Sequence, residues 1–216
     1  METELRKPII VIRHAQPADC NDFAASHWTD TDLTDLGRRQ AQCVADRLAR
    51  ELGGVPCVLH SSDLRRASQT AEPIARALGV PIRPEPGLRE FNNGLGVGQT
   101  EEALRKLVPQ ETQATRDLLA KPEGETWTAF YHRVAGCMER IAEERDRLIL
   151  VVSHYGTIIN TLTWWLRIGL TEAGDTPVSF DASLASIAVL SRNKQDKPRI
   201  ERLNDTSHLL AAGLAM

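Results

Sequence analysis

Two histidines in this chain stand where strands end. Arg13-His14 closes the apolar run Ile9-Ile10-Val11-Ile12, and His154 closes Leu148-Ile149-Leu150-Val151-Val152-Ser153. A neutral imidazole nitrogen is a competent nucleophile, and an arginine beside it supplies a fixed cation with a fork of donors. Two further segments carry compatible chemistry. Ser61-Ser62-Asp63-Leu64 leads into Arg65-Arg66 at a helix start, and Glu90 sits in the glycine-rich stretch 87–98. A helix N-terminus favours anions, and an arginine there adds a bidentate grip for phosphate or carboxylate. A carboxyl group in a tight loop can serve as general acid. Each residue also has an ordinary reading: a surface arginine, a hydrogen-bonded histidine, a solvated basic turn or a surface glutamate. Only their convergence would select chemistry. Histidines ending two strands at one sheet edge, with Arg13, Arg66 and Glu90, would make a cationic pocket with one acid. Such a pocket suits a tetrahedral dianion.

The elements that must position these groups follow from the apolar pattern. Residues 9–12 and 148–152 read as buried strands of a parallel sheet, and ligand chemistry in open α/β sheets collects beyond the carboxyl ends of strands. Thr34 predicts an N-cap for a helix to Leu52, with Leu36, Val44, Leu48 and Leu52 on one face and Gly53-Gly54 as the stop. Residues 55–60 predict a second strand and 80–83 a brief third one, joined by a helix that Pro73 should kink and Gly79 should end. Residues 100–119 suggest one or two short helices broken near Pro109, and Thr126 predicts the cap of a helix with the stripe Trp127, Phe130, Val134, Cys137 or Met138, and Ile141. Another helix, apolar nearly all round, is expected over 157–168. Strands over 183–191 and 199–203 would then form a hairpin at the sheet edge.

Composition narrows the function classes. The chain has 216 residues, a net charge of −3, 42% hydrophobic and 25% charged residues. That fits one soluble domain, 1–216, with no overall basic field to recruit nucleic acid. No secretory h-region opens the chain and no apolar run nears membrane-spanning length, so a cytoplasmic protein without a membrane partner is expected. The cysteines Cys20, Cys43, Cys57 and Cys137 are scattered without zinc or disulfide spacing. Asp19, Asp22, His27, Asp30 and Asp32 match no metal-loop geometry, and the loop holding them reads as solvated or substrate-facing. The glycine loop matches no nucleotide-phosphate motif.

In order along the chain, these segments resemble the histidine phosphatase (phosphoglycerate mutase-like) superfamily. Arg13-His14 is similar to its Arg-His-Gly signature, with Ala15 replacing glycine, and Leu33-Thr34 through Gly37 and Gln40-Ala41 resemble the helix start that follows. The stretch 62–71 resembles the second phosphate-binding motif and points to Arg66 rather than Arg65. Leu88-Arg89-Glu90 resembles the acid-bearing motif, Gly124-Glu125-Thr126 a Gly-Glu-Ser helix start, and Ser153-His154-Tyr155-Gly156 the second histidine motif. Residues 203–209 resemble C-terminal segments of the phosphatase branch.

The resemblance implies an α/β fold, a three-layer α/β/α sandwich around a mostly parallel central sheet. It implies His14 as nucleophile, Arg13, Arg66 and His154 as the grip on the phosphoryl oxygens, and Glu90 as proton donor and later base. Gln16 stands where a loop residue approaches phosphate. No metal and no cofactor is implied, because positive side chains supply the charge. Ala15 would be costly if its backbone needed positive φ. The stretch between Glu90 and His154 is short, whereas mutases of the family carry a longer insertion there, which favours water as acceptor and hence a phosphatase. A phosphoglycerate mutase-type transfer is the second reading and a non-catalytic phospho-ligand module the third. The partner expected is a small phosphorylated substrate, and a homodimer is compatible. Trp28, Phe91, Trp127 and Tyr155 either line a pocket for the leaving group or pack the core.

Overall fold

The computed structural model describes residues 8–19, 28–94, 123–144, 147–171 and 176–214. In chain order the elements are β1 (Ile9–Arg13), α1 (Asp35–Leu52), β2 (Cys57–Ser61), α2 (Arg65–Leu78), β3 (Ile82–Pro84) and a 3-10 turn (Pro86–Leu88). They continue with α3 (Trp127–Ile141), β4 (Leu148–Ser153), α4 (Tyr155–Leu166), β5 (Ile187–Arg192), β6 (Pro198–Asp205) and α5 (Ser207–Ala211). The strands form one six-stranded sheet in the order β3-β2-β4-β1-β5-β6. β1, β2, β3 and β4 are mutually parallel, and β5 runs antiparallel to both β1 and β6. The sheet is therefore mostly parallel, as expected.

Strand alternation divides the core. Ile10 and Ile12 of β1 face one side, with Leu59, Leu150, Val152, and the helix residues Val44, Leu48, Ala67, Ala71 and Ile74. Ile9 and Val11 face the other side, with Val58, Ile149, Val151, Phe130, Val134, Ile158 and Leu162. Both faces of the central strands are covered, which is why these strands read as continuous apolar runs rather than alternating ones. Helices on each face make the three-layer α/β/α sandwich. Truncating Ile12, which is fully buried, should cost about 2–5 kcal/mol.

Boundaries shift in several places for identifiable reasons. β2 begins at Cys57, because 55–56 complete the turn after Gly54, whose φ is 80°. β3 begins at Ile82, since Val80 donates its N–H to the Ala75 carbonyl and so closes α2. α2 runs on through Pro73, which is buried. α1 is capped as expected, with the Thr34 hydroxyl accepting from the Gly37 N–H at 2.9 Å. Thr126 caps α3 in the same way through Ala129 N. β5 and β6 form the expected edge hairpin, shifted to Ile187–Arg192 and Pro198–Asp205. The short helices expected within 100–119 lie outside the described residues.

Candidate active site

β1 and β4 are neighbours in register, Arg13 beside Ser153, so their carboxyl ends meet at one edge. The backbone locks this juncture, with His14 N donating to the Ser153 carbonyl at 2.9 Å. The rings of His14 and His154 consequently stand 5.1 Å apart between centroids. Both side chains are buried.

Hydrogen bonding assigns each ring a role-compatible tautomer. His14 Nδ1 lies 2.8 Å from the Ala15 carbonyl, which can only accept, so Nδ1 carries the proton and Nε2 keeps its lone pair. His154 Nε2 lies 2.8 Å from the Ser62 hydroxyl, which also accepts from Leu64 N at 3.3 Å. A hydroxyl accepting there can donate to Nε2, which leaves the proton on His154 Nδ1. That nitrogen is buried and has no hydrogen-bond partner among the described residues, and neither has Arg13 Nε. Buried donors without partners are costly unless a ligand completes them. These two sit in one site and call for an acceptor-rich anion.

Two guanidinium groups border the histidines. Arg13 Nη1 donates to the Ala182 carbonyl at 2.7 Å, and its guanidinium lies 5.3 Å over the Tyr155 ring. Arg66, in the first turn of α2, is 1% exposed and donates to the Thr29 carbonyl at 2.7 Å. Arg65 is instead exposed and pairs with Asp32 at 2.7 Å, so the structure separates the two arginines that the sequence places side by side. Burial, reinforced by the charges of Arg66 and Arg13, holds the His14 pKa well below the ordinary histidine value. Burial and the Arg66, His14 and Arg13 charges do the same to His154. Both rings are neutral at pH 7, the form in which Nε2 of His14 can attack.

Glu90 arrives from a third direction. Its carboxylate accepts from Phe91 N at 2.9 Å and from Gly156 N, in the first turn of α4, at 3.0 Å. A Cβ on Gly156 would stand 2.5 Å from Glu90 Oε1, so only glycine lets the carboxylate approach the helix start. At Gly37 a Cβ would meet the Gln16 carbonyl at 2.2 Å; glycine there lets α1 close on the loop after His14. Gln16 Oε1 accepts from Thr34 Oγ1 at 2.6 Å, which ties this side chain to the cap of α1.

Residues 182–186 are shaped by the chain's C-terminal motif. Asn204 Oδ1 accepts from Ser183 N at 2.6 Å, and His208 Nε2 donates to the Ala185 carbonyl at 3.1 Å. Arg47 then holds His208 and Asp205, donating to Nδ1 at 3.2 Å and to Oδ2 at 2.6 Å. Ala185, in left-handed backbone at φ 55°, donates to the His14 carbonyl at 3.1 Å.

A profile of the histidine phosphatase superfamily (branch 1) matches residues 9–206. The chain belongs to this superfamily. Among its relatives is phosphoglycerate mutase-like protein 4 of Arabidopsis thaliana, 31% identical over 156 residues, 69% of this chain and 67% of the relative. Phosphoserine phosphatase 1 of Hydrogenobacter thermophilus is 28% identical over 206 residues, 93% of each chain. In fold, the chain resembles the α-ribazole phosphatase of Shigella flexneri, with TM-score 0.77 and 24% identity over 92% of this chain and 96% of that one. A mycobacterial glucosyl-3-phosphoglycerate phosphatase is similar too, with TM-score 0.76 and 24% identity over 93% and 100%. The protein is thus an enzyme of the histidine phosphatase superfamily, one that hydrolyses or transfers phosphoryl groups.

Several site-level expectations are sharpened. Ala15 is not in left-handed backbone, since it is absent from the positive-φ residues, and its methyl packs in the core. The departure from glycine therefore costs no backbone strain. Phe91 stacks on Trp127 at 4.4 Å between centroids, which makes these two packing residues. Tyr155 is 39% exposed and Trp28 donates to the Glu90 carbonyl at 2.6 Å, so both border the site. Among the described residues no group of three or more His, Cys, Asp or Glu could hold a metal ion. Asp30 instead accepts from Arg65 N, and Asp32 from Gln69. Asp22 and His27 lie outside the described residues. No described helix is long and apolar enough to cross a membrane.

Ser62 and Arg133 escape a reading by residue type. Ser62 had one signal, its place at the end of a strand that leads to the same sheet edge. Arg133 had none, being one more charge on the polar face of an amphipathic helix.

Proposed function

We propose that this enzyme hydrolyses phosphomonoesters through a covalent phosphohistidine on His14. The observation that carries this reading is the His14 tautomer: Nδ1 spends its proton on the Ala15 carbonyl, and Nε2 is left as a buried, neutral nucleophile. In the first step Nε2 attacks phosphorus in line with the ester oxygen. The N–P bond forms, the P–O bond breaks, and Glu90 gives its proton to the leaving alkoxide. In the second step Glu90 takes a proton from water as its oxygen attacks phosphorus, and the N–P bond breaks to release phosphate. Arg13, Arg66 and His154 Nδ1 hold the equatorial oxygens, where charge builds in the transition state. The same positive groups supply the charge that a metal would otherwise provide, so the reaction is proposed to be metal-independent. The substrate is proposed to be a small phosphorylated metabolite, with Gln16 at the rim of its phosphate site.

The test is to trap the phosphoenzyme with a ³²P-labelled substrate. The label should be acid-labile, absent in His14→Ala, and undiminished when EDTA is present. A His14→Ala enzyme that still labels would remove His14 from the nucleophile role. Relatives named as probable phosphoglycerate mutases, such as one from Yersinia pestis, support a second reading in which a phosphoglycerate hydroxyl replaces water. Interconversion of 2- and 3-phosphoglycerate outpacing phosphate release would select it.

A further inference from the structure

The loop that presents Glu90 has no regular secondary structure over 89–93, yet the carbonyls of residues 87–90 are all engaged. Ser153 Oγ donates to the Leu88 carbonyl at 2.8 Å and Thr157 Oγ1 to the Arg89 carbonyl at 2.8 Å. One side chain takes most of the remainder. Arg133 Nη1 donates to the Gly87 and Arg89 carbonyls, each at 3.0 Å, and Nη2 donates to the Glu90 carbonyl at 3.1 Å. The guanidinium is oriented by Glu125, which accepts from Nε at 3.0 Å and from Nη2 at 2.5 Å. Glu125 Oε1 also accepts from Asn92 N at 2.8 Å, two residues beyond Glu90. The Arg133–Glu125 pair therefore holds the backbone on both sides of Glu90.

We propose that Arg133 is a positioning residue for the proton donor: through the carbonyls of Gly87, Arg89 and Glu90 it fixes the backbone from which the Glu90 carboxyl reaches the leaving oxygen. This rests on the reading of Glu90 as general acid. The planar fork matters more than the charge, because three carbonyls in different directions must be met at once. A lysine ammonium has three donors on a flexible stem and cannot span the same set while pairing with both Glu125 oxygens. The pair lies half-buried, with side-chain exposures of 24% and 14%, so solvent does not substitute freely for lost donors.

The consequence is a loss that depends on the leaving group. An alkyl phosphate needs its leaving oxygen protonated, whereas p-nitrophenolate leaves without help. A catalytic group displaced by about 1 Å loses on the order of 10²-fold in rate. Because Glu90 also serves the later hydrolysis that both esters share, the selective readout is kcat/KM, which ends at phosphorylation of His14. Arg133→Met should lower it about 10- to 100-fold for an alkyl phosphate and leave that for p-nitrophenyl phosphate within about 3-fold. Arg133→Lys keeps the charge near His154 and should show a smaller loss of the same selectivity. Glu90→Gln/Arg133→Met should be no slower on the alkyl ester than Glu90→Gln alone, because two residues acting through one step do not add.

The experiment measures kcat and KM for both esters in Arg133→Met, Arg133→Lys, Glu90→Gln and the double variant, with melting temperatures alongside. If Arg133→Met fails to fold, Arg133→Lys and Glu125→Gln carry the test, and each should lose more on the alkyl ester. Equal losses of kcat/KM on both esters, or a folded set with no loss at all, overturn the proposal. Glu90→Gln distinguishes the two possible failures. If it lowers kcat/KM alike for both esters, the acid reading itself fails; if its kcat/KM loss is selective and those of the Arg133 and Glu125 variants are not, only the positioning role fails.

Discussion

Replacing Gly156 by alanine should separate chemistry from stability. The added methyl would stand 2.5 Å from Glu90 Oε1 and 3.0 Å from Phe130 Cε1. Ordinary contact begins near 3.4 Å, so the carboxylate must retreat by about 0.9 Å, while Phe130 must give by a few tenths. The carboxylate is the end of a flexible side chain and can swing away cheaply, forfeiting its bond from Gly156 N. In the fold, alanine gains about 0.5–1 kcal/mol over glycine within a helix, which offsets the squeeze on Phe130. The melting temperature should therefore stay within about 4 °C of the parent. Displacing Glu90, the proposed proton donor, by nearly 1 Å should cost on the order of 10²-fold in kcat on an alkyl phosphate. The assay is phosphate release from an alkyl and an aryl ester, together with calorimetry. A stable Gly156→Ala enzyme with parental activity on the alkyl ester would refute the reasoning, because Glu90 would then be acting from some other place.

Arg66→Met should lose about 10²- to 10³-fold in kcat/KM through the missing grip on the transferring oxygens. Arg65→Ala, removing an exposed pair, should stay within about 3-fold; comparable losses in steady-state kinetics would merge two roles the structure separates. Acid should destabilise the fold through His14 and His154. Their folded pKa values lie below the unfolded ones, mainly through burial, so the unfolded chain takes up protons first as pH falls below about 6.5. Stability should then drop by about 1.4 kcal/mol per pH unit for each ring, down to the folded pKa values. Urea unfolding at pH 7.5, 6.5 and 5.5 reads this slope, and His14→Asn/His154→Asn should flatten it. For the same reason His14, the proposed nucleophile, should stay neutral below pH 6.5, and the acid limb of kcat/KM that belongs to the enzyme should lie under that value.

Much of this site could be read from residue order, because its parts hang on the ends of buried strands. Ile9–Arg13 and Leu148–Ser153 are apolar without alternation, a pattern that survives translation into structure since both sheet faces are covered. The choice of Arg66 over Arg65 was legible only by resemblance; nothing in two adjacent arginines tells which one turns inward. What could not be read was the service of one residue to another's backbone. Arg133 recognises carbonyls, and carbonyls are the same in every residue, so its partners leave no mark on the sequence. Ala15 misled for a related reason: a family glycine suggests a demand on backbone dihedrals, whereas here the methyl simply fills core space. Strand ends at 57 and 82 moved because turn closure after Gly54 and Gly79 took residues that propensity would give to strands.

The central place of β1 has a consequence for how activity is acquired during synthesis. His14, the proposed nucleophile, is translated well before the strands that flank its own, which lies between β4 and β5 and pairs Ile9 with Ile149 and with Leu190. Its carbonyl and the neighbouring guanidinium are then seated by 182–186, which the Asn204 and His208 side chains hold in place. A ribosome-bound chain therefore carries His14 unassembled until β4, β5 and the segment with Asn204 and His208 have emerged. Pairings so distant in sequence form late and slowly. Turnover by this enzyme is in effect a certificate that β5 has docked against β1.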